Sequence, residues 1–403
     1  MRITFPARAG TAAGSPLSFF PRLIPLLLVL CAGPAFSAPF YSPAWGFRID
    51  LPEEYEYSGG DGRERFSFAS PQGAALDLVV YSGIYASVED MAADSGRRIG
   101  NRGDTSSFDY RGRKACLMEL DFTIGENAFG GWGFCVELGP PSGNAGGKTP
   151  LLLALAYGGE NIPDILHFSV LDSIAPSEAE RRASGPVTAF SYPRGEVREV
   201  PPAPGGGEAV LVAEHDAEGA QALVDREFAV LRRYSASPLL EAARVRFYRA
   251  VYRDSWERLA DAAFKLERRW NVPPPEDGAR PSLPPEAFAE KVLQWIQSFA
   301  YERDLMGSDF VNLVSAVTEG RGDCDSRAML WAVILAQANI PAAMMVSPAY
   351  GHAMGLADLP GEGARFQAGG VDWLVAETTA KVGMGLIEKE ISVTDYWSAV
   401  IFE

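Results

Sequence analysis

The chain has 403 residues, which at about 150 residues per domain predicts two or three domains. Hydrophobic residues make up 47% and charged residues 22%, a composition typical of globular rather than disordered proteins. The formal net charge is -16. Because an acidic surface repels phosphate and anionic headgroups, we expect neither nucleic acid nor an anionic membrane surface as a partner.

The N-terminal residues 1–37 have the pattern of a secretory signal peptide. Basic residues come first, then a short apolar run, then a small-x-small site: Arg2, Arg8 and Arg22, Leu23–Leu30, and Ala35–Ser37. The run is too short, and too interrupted by Pro25, for a spanning helix, which needs about 20 apolar residues. We therefore predict cleavage before Ala38, export to the periplasm or the extracellular space, and no transmembrane segment afterwards.

Cysteine usage leaves one thiol without a partner. The chain has four cysteines, and Cys31 leaves with the signal peptide. A lipid anchor at Cys31 is the alternative to cleavage before Ala38, but it requires a small residue at the position of Leu30. Three cysteines remain, and an odd number in an exported protein requires a chemical explanation.

A disulfide between Cys116 and Cys135 is left open by the sequence. Cys116 shares its strand parity with apolar neighbours and is predicted to be buried. Cys135 has the opposite parity from Phe134, which points it outward unless a bulge at Gly133 reverses it. If the two cysteines pair, Cys324 is the free thiol.

Residues 38–175 are predicted to form an α+β domain rich in antiparallel strands. The candidate strands are Phe47–Leu51, Ala75–Tyr81, Met118–Phe122, Trp132–Leu138 and Leu151–Tyr157. A helix from Val88 to Ile99, capped by Ser87, fits between them. A second helix over 161–174 closes the domain, and 139–149 is a Gly/Pro-rich loop. The rhythm of the strands resembles the sheet-and-helix domains of the PsbP/Mog1 type. The segment contains no catalytic constellation, so we expect a binding or scaffolding role for it.

Two less regular regions follow. Pro/Gly-rich residues 176–208 predict a linker or an exposed hairpin. Residues 209–284 predict a helical region, in which apolar side chains from Val245 to Trp270 recur at helical spacing and indicate one long helix packed into a core. A Pro-rich break over 271–285 marks the entrance to the C-terminal domain.

The C-terminal domain, residues 285–403, carries the candidate nucleophile. Helices are predicted from Pro285 to Phe299 and from Cys324 to Ala338, the second after a turn that the glycines at 320 and 322 allow. Cys324 then lies in the first turn of a buried helix. The positive partial charge of a helix N-terminus favours the thiolate over the thiol, so we expect an activated cysteine.

Two strand-like segments supply partners for this thiol. Ala342–Ser347 leads to His352, and a strand over 371–379 contains Glu377. Histidine suits the exchange of a thiol proton near neutral pH, and a carboxylate on the neighbouring strand can hold its other ring nitrogen. Cys324, His352 and Glu377 are therefore the candidate catalytic residues, whereas His167 and His215 have no such setting.

Four segments of the C-terminal domain resemble the conserved blocks of bacterial transglutaminase-like, papain-related domains. They are Trp295–Tyr301, Gly322–Asp325, Gly351–Ala353 and Ala376–Thr379. The likeness covers about residues 285 to 390. The third catalytic position is more often Asp in that family, and Glu377 brings a longer side chain to it.

The resemblance implies thiol acyl transfer, in which Cys324 attacks a carbonyl carbon, His352 moves the proton and Glu377 orients the ring. Backbone N–H groups around Cys324 would stabilise the oxyanion, and Gln297 or Tyr301 could add a side-chain donor. We expect an exported peptidase or amidase that acts on a protein or peptide substrate. The alternatives are a protein-glutamine crosslinking transferase and a catalytically idle peptide-binding or assembly module.

No cofactor or metal is implied, because this chemistry needs only a thiol, an imidazole and a carboxylate. The cysteines and histidines lack the ligand spacing of zinc sites. Asp323, Asp325 and Asp358 lack the pattern of an EF-hand loop. The sequence leaves the substrate and the oligomeric state open.

Overall fold

The structure is a computed structural model that describes residues 39–139, 148–270, 283–303 and 308–402. The predicted signal peptide with Cys31, most of the predicted 139–149 loop and most of the second Pro-rich break lie outside these residues. Within the described ranges, every helix is too short or too polar to cross a bilayer.

The first part of the chain forms a seven-stranded antiparallel sheet in the order β3-β4-β5-β9-β8-β7-β6, and β1 and β2 pair separately. Its elements are β1 (Phe40–Tyr41), β2 (Arg48–Ile49), β3 (Glu56–Gly60), β4 (Arg65–Ala69), β5 (Ala75–Tyr81), α1 (Val88–Ile99), β6 (Thr105–Tyr110), β7 (Arg113–Ile124), β8 (Asn127–Glu137), β9 (Leu151–Gly158) and α2 (Asp164–Asp172). The predicted mixture of helix and antiparallel strand is confirmed.

Local sequence signals place several of these elements correctly. The helix α1 has the predicted bounds, and Ser87 Oγ accepts a bond from the backbone N–H of Asp90 at 3.2 Å. It ends at Gly100, whose φ of 67° is the left-handed cap that glycine adopts without strain. The predicted closing helix is shorter than 161–174, because Pro163 is its N-cap.

The prediction that Cys135 points outward is wrong. Cys135 lies directly opposite Cys116 in the regular β7–β8 register, without a bulge, and both side chains are fully buried against α1. Helices cover both faces of this sheet, so Phe134 and Cys135 are both buried although they point to opposite sides. Both thiols are free in the structure.

The middle of the chain is more compact than a linker. It contains a 3-10 turn over Glu178–Arg182, α3 (Pro186–Ser191), the antiparallel hairpin β10 (Val197–Val200) and β11 (Val210–Ala213), and the helices α4 (Asp216–Arg232), α5 (Leu240–Arg258) and α6 (Ala260–Trp270). A hairpin is present within the predicted segment, but its loop is not fully exposed: Ala203 is buried and its N–H bonds to Val317 O at 2.7 Å. The single long helix predicted from Val245 to Trp270 is instead divided into α5 and α6 by a turn at Leu259.

Buried and partly buried ion pairs join these helices to one another and to the first part of the chain. Arg226 of α4 bonds to Asp172 of α2, and Arg246 of α5 bonds to Glu227 at 3.0 Å. Arg249 of α5 holds Asp50 through two bonds of 2.8 and 3.0 Å. Paired and hydrogen-bonded charges tolerate burial that an isolated charge would not, so they specify how the two regions meet.

The C-terminal part is built around one buried helix and a five-stranded sheet in the order β16-β17-β15-β14-β18. Its elements are α7 (Pro285–Ile296), β12 (Ala300–Tyr301), α8 (Leu313–Glu319), β13 (Arg321–Gly322), α9 (Cys324–Gln337), β14 (Ala342–Ser347), β15 (His352–Ala357), β16 (Arg365–Ala368), β17 (Val371–Ala376) and β18 (Ser398–Ile401), with 3-10 turns over Lys389–Ile391 and Thr394–Tyr396.

The helix α9 packs on one face of this sheet and is buried nearly all round. Trp331 is fully buried and donates to Ala289 O of α7 at 3.1 Å. Its ring lies on Gly355 of β15, where a Cβ atom would stand 2.5 Å from Trp331 Cε3. This close approach fixes α9, which begins with the candidate nucleophile, against the strand that begins with the candidate base.

Candidate functional site

Cys324 is the first residue of α9, as predicted, and the start of that helix is firmly held. Asp323 is its N-cap and accepts bonds from both the backbone N–H, at 2.9 Å, and the hydroxyl of Ser326. Ser326 Oγ in turn accepts the N–H of Val311 at 2.8 Å. Only 6% of Cys324 is exposed, so the sulfur lies just beneath the surface.

His352 and Glu377 come together on the neighbouring sheet. His352 begins β15 and Glu377 follows β17, which pairs with β15 in the register Gly355↔Ala376. His352 Nε2 lies 2.7 Å from Glu377 Oε2. The other carboxylate oxygen, Oε1, accepts the N–H and the hydroxyl of Thr379 at 2.7 and 2.6 Å.

These bonds define the tautomer of His352. Burial disfavours the charged form of Glu377, but its bonds with His352 and Thr379 outweigh that effect and lower the pKa of the carboxyl group. An ionised carboxylate can only accept, so Nε2 of His352 must carry the proton. In the neutral ring, Nδ1 is then the free proton acceptor, as a general base requires.

The thiol of Cys324 is held away from this base. Sγ donates to Asp325 Oδ1 at 3.5 Å, and Asp325 Oδ2 accepts the hydroxyl of Tyr248 at 2.7 Å. The N–H of Ala353, next to His352, points at the sulfur. Within the described residues no hydrogen bond joins Cys324 to His352, so the three predicted catalytic residues form one bonded pair and an adjacent thiol.

The expectation that the helix N-terminus activates Cys324 is wrong for this arrangement. Burial raises the pKa of the thiol well above its usual range, and the carboxyl groups of Asp325 and Asp323 raise it further. Burial and the neighbouring Asp325 also raise the pKa of Asp323 to about 7. The structure therefore presents a resting thiol rather than a thiolate.

The two candidate side-chain donors have different surroundings. Gln297 is buried, and its Nε2 donates to Glu377 O and Val382 O, both at 2.8 Å. Its amide protons are thus used to hold the segment that follows β17. Tyr301 is 52% exposed, and its hydroxyl faces Cys324.

A groove of about 390 Å³ opens beside the His352–Glu377 pair. Its lining includes the apolar side chains of Val382, Leu386, Ile387 and Ile391. A small number of polar groups set among apolar walls is typical of ligand sites. His167 and His215 lie outside this region, on α2 and at the start of α4.

Asp325 and Tyr248 are parts of the site that the sequence did not assign to it. Tyr248 belongs to the apolar stripe of α5 and is buried, so its spacing carries no signal of a polar contact. Asp323, Cys324 and Asp325 offer ligand atoms within 4.8 Å of one another, but both carboxylates already accept bonds from Ser326 and Tyr248.

Comparisons with known proteins do not establish a family. No protein-family model and no curated protein sequence matches the chain. The solution structure of cyanobacterial PsbP (CyanoP) from Synechocystis sp. PCC 6803 is similar over 37% of this chain and 98% of its own, at 15% identity and a TM-score of 0.27. A crystal structure from Bacteroides thetaiotaomicron VPI-5482 is similar over 54% of this chain and 78% of its own, at 11% identity and a TM-score of 0.25. At such TM-scores neither likeness carries an argument, and the PsbP-like and transglutaminase-like assignments stay predictions.

Proposed function

We propose that this protein is a cysteine enzyme of the transglutaminase-like kind that hydrolyses amide bonds of a protein or peptide by thiol acyl transfer. The observation that carries the proposal is the 2.7 Å bond between His352 Nε2 and Glu377 Oε2, with Cys324 on the adjoining helix end. A carboxylate that fixes a histidine beside a thiol is what nucleophilic catalysis by cysteine requires.

The reaction begins when the thiol turns from Asp325 towards His352. Nδ1 of His352 takes the thiol proton, and the sulfur attacks the carbonyl carbon of the substrate. The proton then passes to the leaving nitrogen as the C–N bond breaks, which leaves a thioester on Cys324. Water, activated by the same ring, hydrolyses the thioester and restores the thiol. Glu377 stabilises the imidazolium form of His352 at each stage.

A second candidate function is a peptide-binding module without turnover. The observations that favour it are the burial of Cys324 and the carboxyl groups that raise its pKa. We place either function outside the cytoplasm, as the predicted signal peptide implies. The first sheet, for which we propose a PsbP-like scaffold, would bind a partner or support the site.

Hydrolysis of p-nitrophenyl acetate tests the proposal without knowledge of the natural substrate. The wild type should turn over the ester, and Cys324→Ala and His352→Ala should lose nearly all of that rate. Glu377→Gln, which keeps the shape but removes the charge, should retain an intermediate rate. Cys116→Ala is the matched control, because this buried cysteine lies in the first sheet.

The enzyme proposal fails if the wild type is no faster than Cys324→Ala. For an active wild type, incubation with casein and dansylcadaverine separates the two reactions. Cleavage of casein supports hydrolysis, whereas incorporation of the amine without cleavage identifies a crosslinking transferase.

A further inference from the structure

The position of Tyr301 is determined by backbone pairing with the segment that leads into the nucleophile. Strand β12 runs parallel to β13, with Tyr301 opposite Gly322, two residues before Cys324. Ala300 N donates to Gly320 O at 2.7 Å, which anchors the pairing. The pairing therefore places Tyr301 beside the start of α9, although the two are distant in sequence.

The ring of Tyr301 packs face-on against a buried guanidinium group. Arg327 lies with its Cζ 5.4 Å from the ring centroid. It is held there by bonds to Phe299 O at 2.8 Å and Gly322 O at 3.1 Å. A cation over the face of an aromatic ring is an attractive contact, so Arg327 of α9 stabilises the orientation of the Tyr301 ring.

The hydroxyl of Tyr301 lies beside the sulfur of Cys324. Burial raises the pKa of Tyr301 to about 12, and the nearby charge of a Cys324 thiolate contributes. The phenol therefore stays protonated at neutral pH and remains a donor. About half of Tyr301 is exposed, whereas Cys324 is nearly covered, so the phenol borders both the solvent and the buried sulfur.

We propose that Tyr301 is a further catalytic residue, whose hydroxyl donates a hydrogen bond to the oxyanion formed when Cys324 attacks the substrate. Gln297 is not available for this task, because its amide donates to two backbone carbonyl groups. The inference rests on the proposed acyl-transfer function and adds a named electrostatic group to it.

The step conserves charge and atoms. The S–C bond forms while the carbonyl π electrons move to oxygen, and the thiol proton lies on His352. The oxyanion then accepts the hydrogen bond of Tyr301, which keeps its own proton. When the carbonyl forms again, the C–N bond breaks and His352 gives its proton to the leaving nitrogen. Tyr301 thus stabilises the charged intermediate without transferring a proton.

Two electrophiles that react with the same sulfur distinguish a catalytic role of Tyr301 from a structural one. Acylation by p-nitrophenyl acetate passes through an oxyanion, whereas alkylation by iodoacetamide displaces iodide at a saturated carbon and does not. In Tyr301→Phe the ring and its contact with Arg327 remain. We expect the acylation rate of Cys324 to fall about 100-fold, and the alkylation rate to stay within about twofold.

The control is Tyr396→Phe, since Tyr396 is also exposed and packs on Tyr350. Both of its rates should equal those of the wild type. Equal losses in acylation and alkylation for Tyr301→Phe, or no loss in either, would overturn the role of Tyr301 while leaving the proposed function intact. A wild type that does not acylate above Cys324→Ala would overturn both.

Discussion

Replacing Asp325 by asparagine should make Cys324 more reactive. Asp325 accepts the thiol through Oδ1 at 3.5 Å, and the charge of its carboxylate form raises the pKa of Cys324. Both effects favour the thiol over the thiolate. Asparagine has the same shape, and its amide oxygen can still accept the hydroxyl of Tyr248, so Asp325→Asn removes the charge with little change in packing.

The size of the effect follows from the separation of the two atoms. Unit charges 3.5 Å apart repel by about 1 kcal/mol in water and about 5 kcal/mol at an effective dielectric constant of about 20. Burial also raises the pKa of Asp325 and so disfavours its charged form. These energies therefore set an upper limit of about one to three and a half units on the decrease in the pKa of Cys324. At a pH below the pKa, each unit of decrease in the pKa of Cys324 raises the thiolate fraction about tenfold, but the less basic thiolate is a poorer nucleophile and loses about half of that gain on a logarithmic scale. Within the limits above, alkylation should be roughly 3- to 50-fold faster.

The assay is the pH dependence of iodoacetamide alkylation, with peptide mapping to count only Cys324. Cys116 and Cys135 are fully buried and provide internal references. The control variant Asp104→Asn removes the same charge from an exposed position in the first sheet region. It should leave the profile of Cys324 unchanged.

An unchanged or slower alkylation of Asp325→Asn at neutral pH would refute this reasoning. It would mean that Asp325 does not hold the thiol in its protonated form. A parallel shift in Asp104→Asn would assign the effect to net charge instead of to the contact.

Two further predictions concern stability. Gly355→Ala should lower the free energy of unfolding by about 1–3 kcal/mol, because the new Cβ meets the buried ring of Trp331; an unchanged midpoint in urea would contradict it. His167 is 1% exposed, and its Nδ1 lies 3.7 Å from Asp164 Oδ1. Burial lowers the pKa of His167 in spite of this carboxylate. Because the unfolded chain then binds more protons below about pH 6.5, stability should fall as the pH drops through that value. His167→Phe should flatten this fall in the urea midpoint, and an equally steep fall in the variant would argue against His167.

Local patterns were sufficient for elements whose signals lie within one segment. The helix α1 combines a serine cap, an acidic first turn and a glycine end, and its bounds were predicted to the residue. Strands β5 and β14 also have their predicted bounds. The placement of Cys324 at the start of α9 followed from the glycines and aspartate that precede it.

Parity arguments failed where both sides of an element are covered. A sheet face counts as outward only if solvent lies there, and α1 buries the face that Cys135 occupies. The sequence pattern also missed the break at Leu259, because apolar side chains continue at helical spacing from α5 into α6.

The chemistry of the thiol depends on contacts that no local pattern encodes. A helix end alone would favour the thiolate, but desolvation and the carboxyl group of Asp325 act in the opposite direction and prevail. The partner of Asp325 is Tyr248, 77 positions away in the chain. Such a pairing becomes visible only when α5 and α9 are placed together.

The Tyr248–Asp325 bond has a practical consequence for anyone who wishes to study the C-terminal part alone. A fragment that begins at residue 285 would lack the phenol that covers one side of Asp325. Water would take its place and change the acidity of the neighbouring sulfur. Titrations on such a fragment would therefore describe a different thiol, and expression boundaries should be drawn before residue 240, where α5 begins.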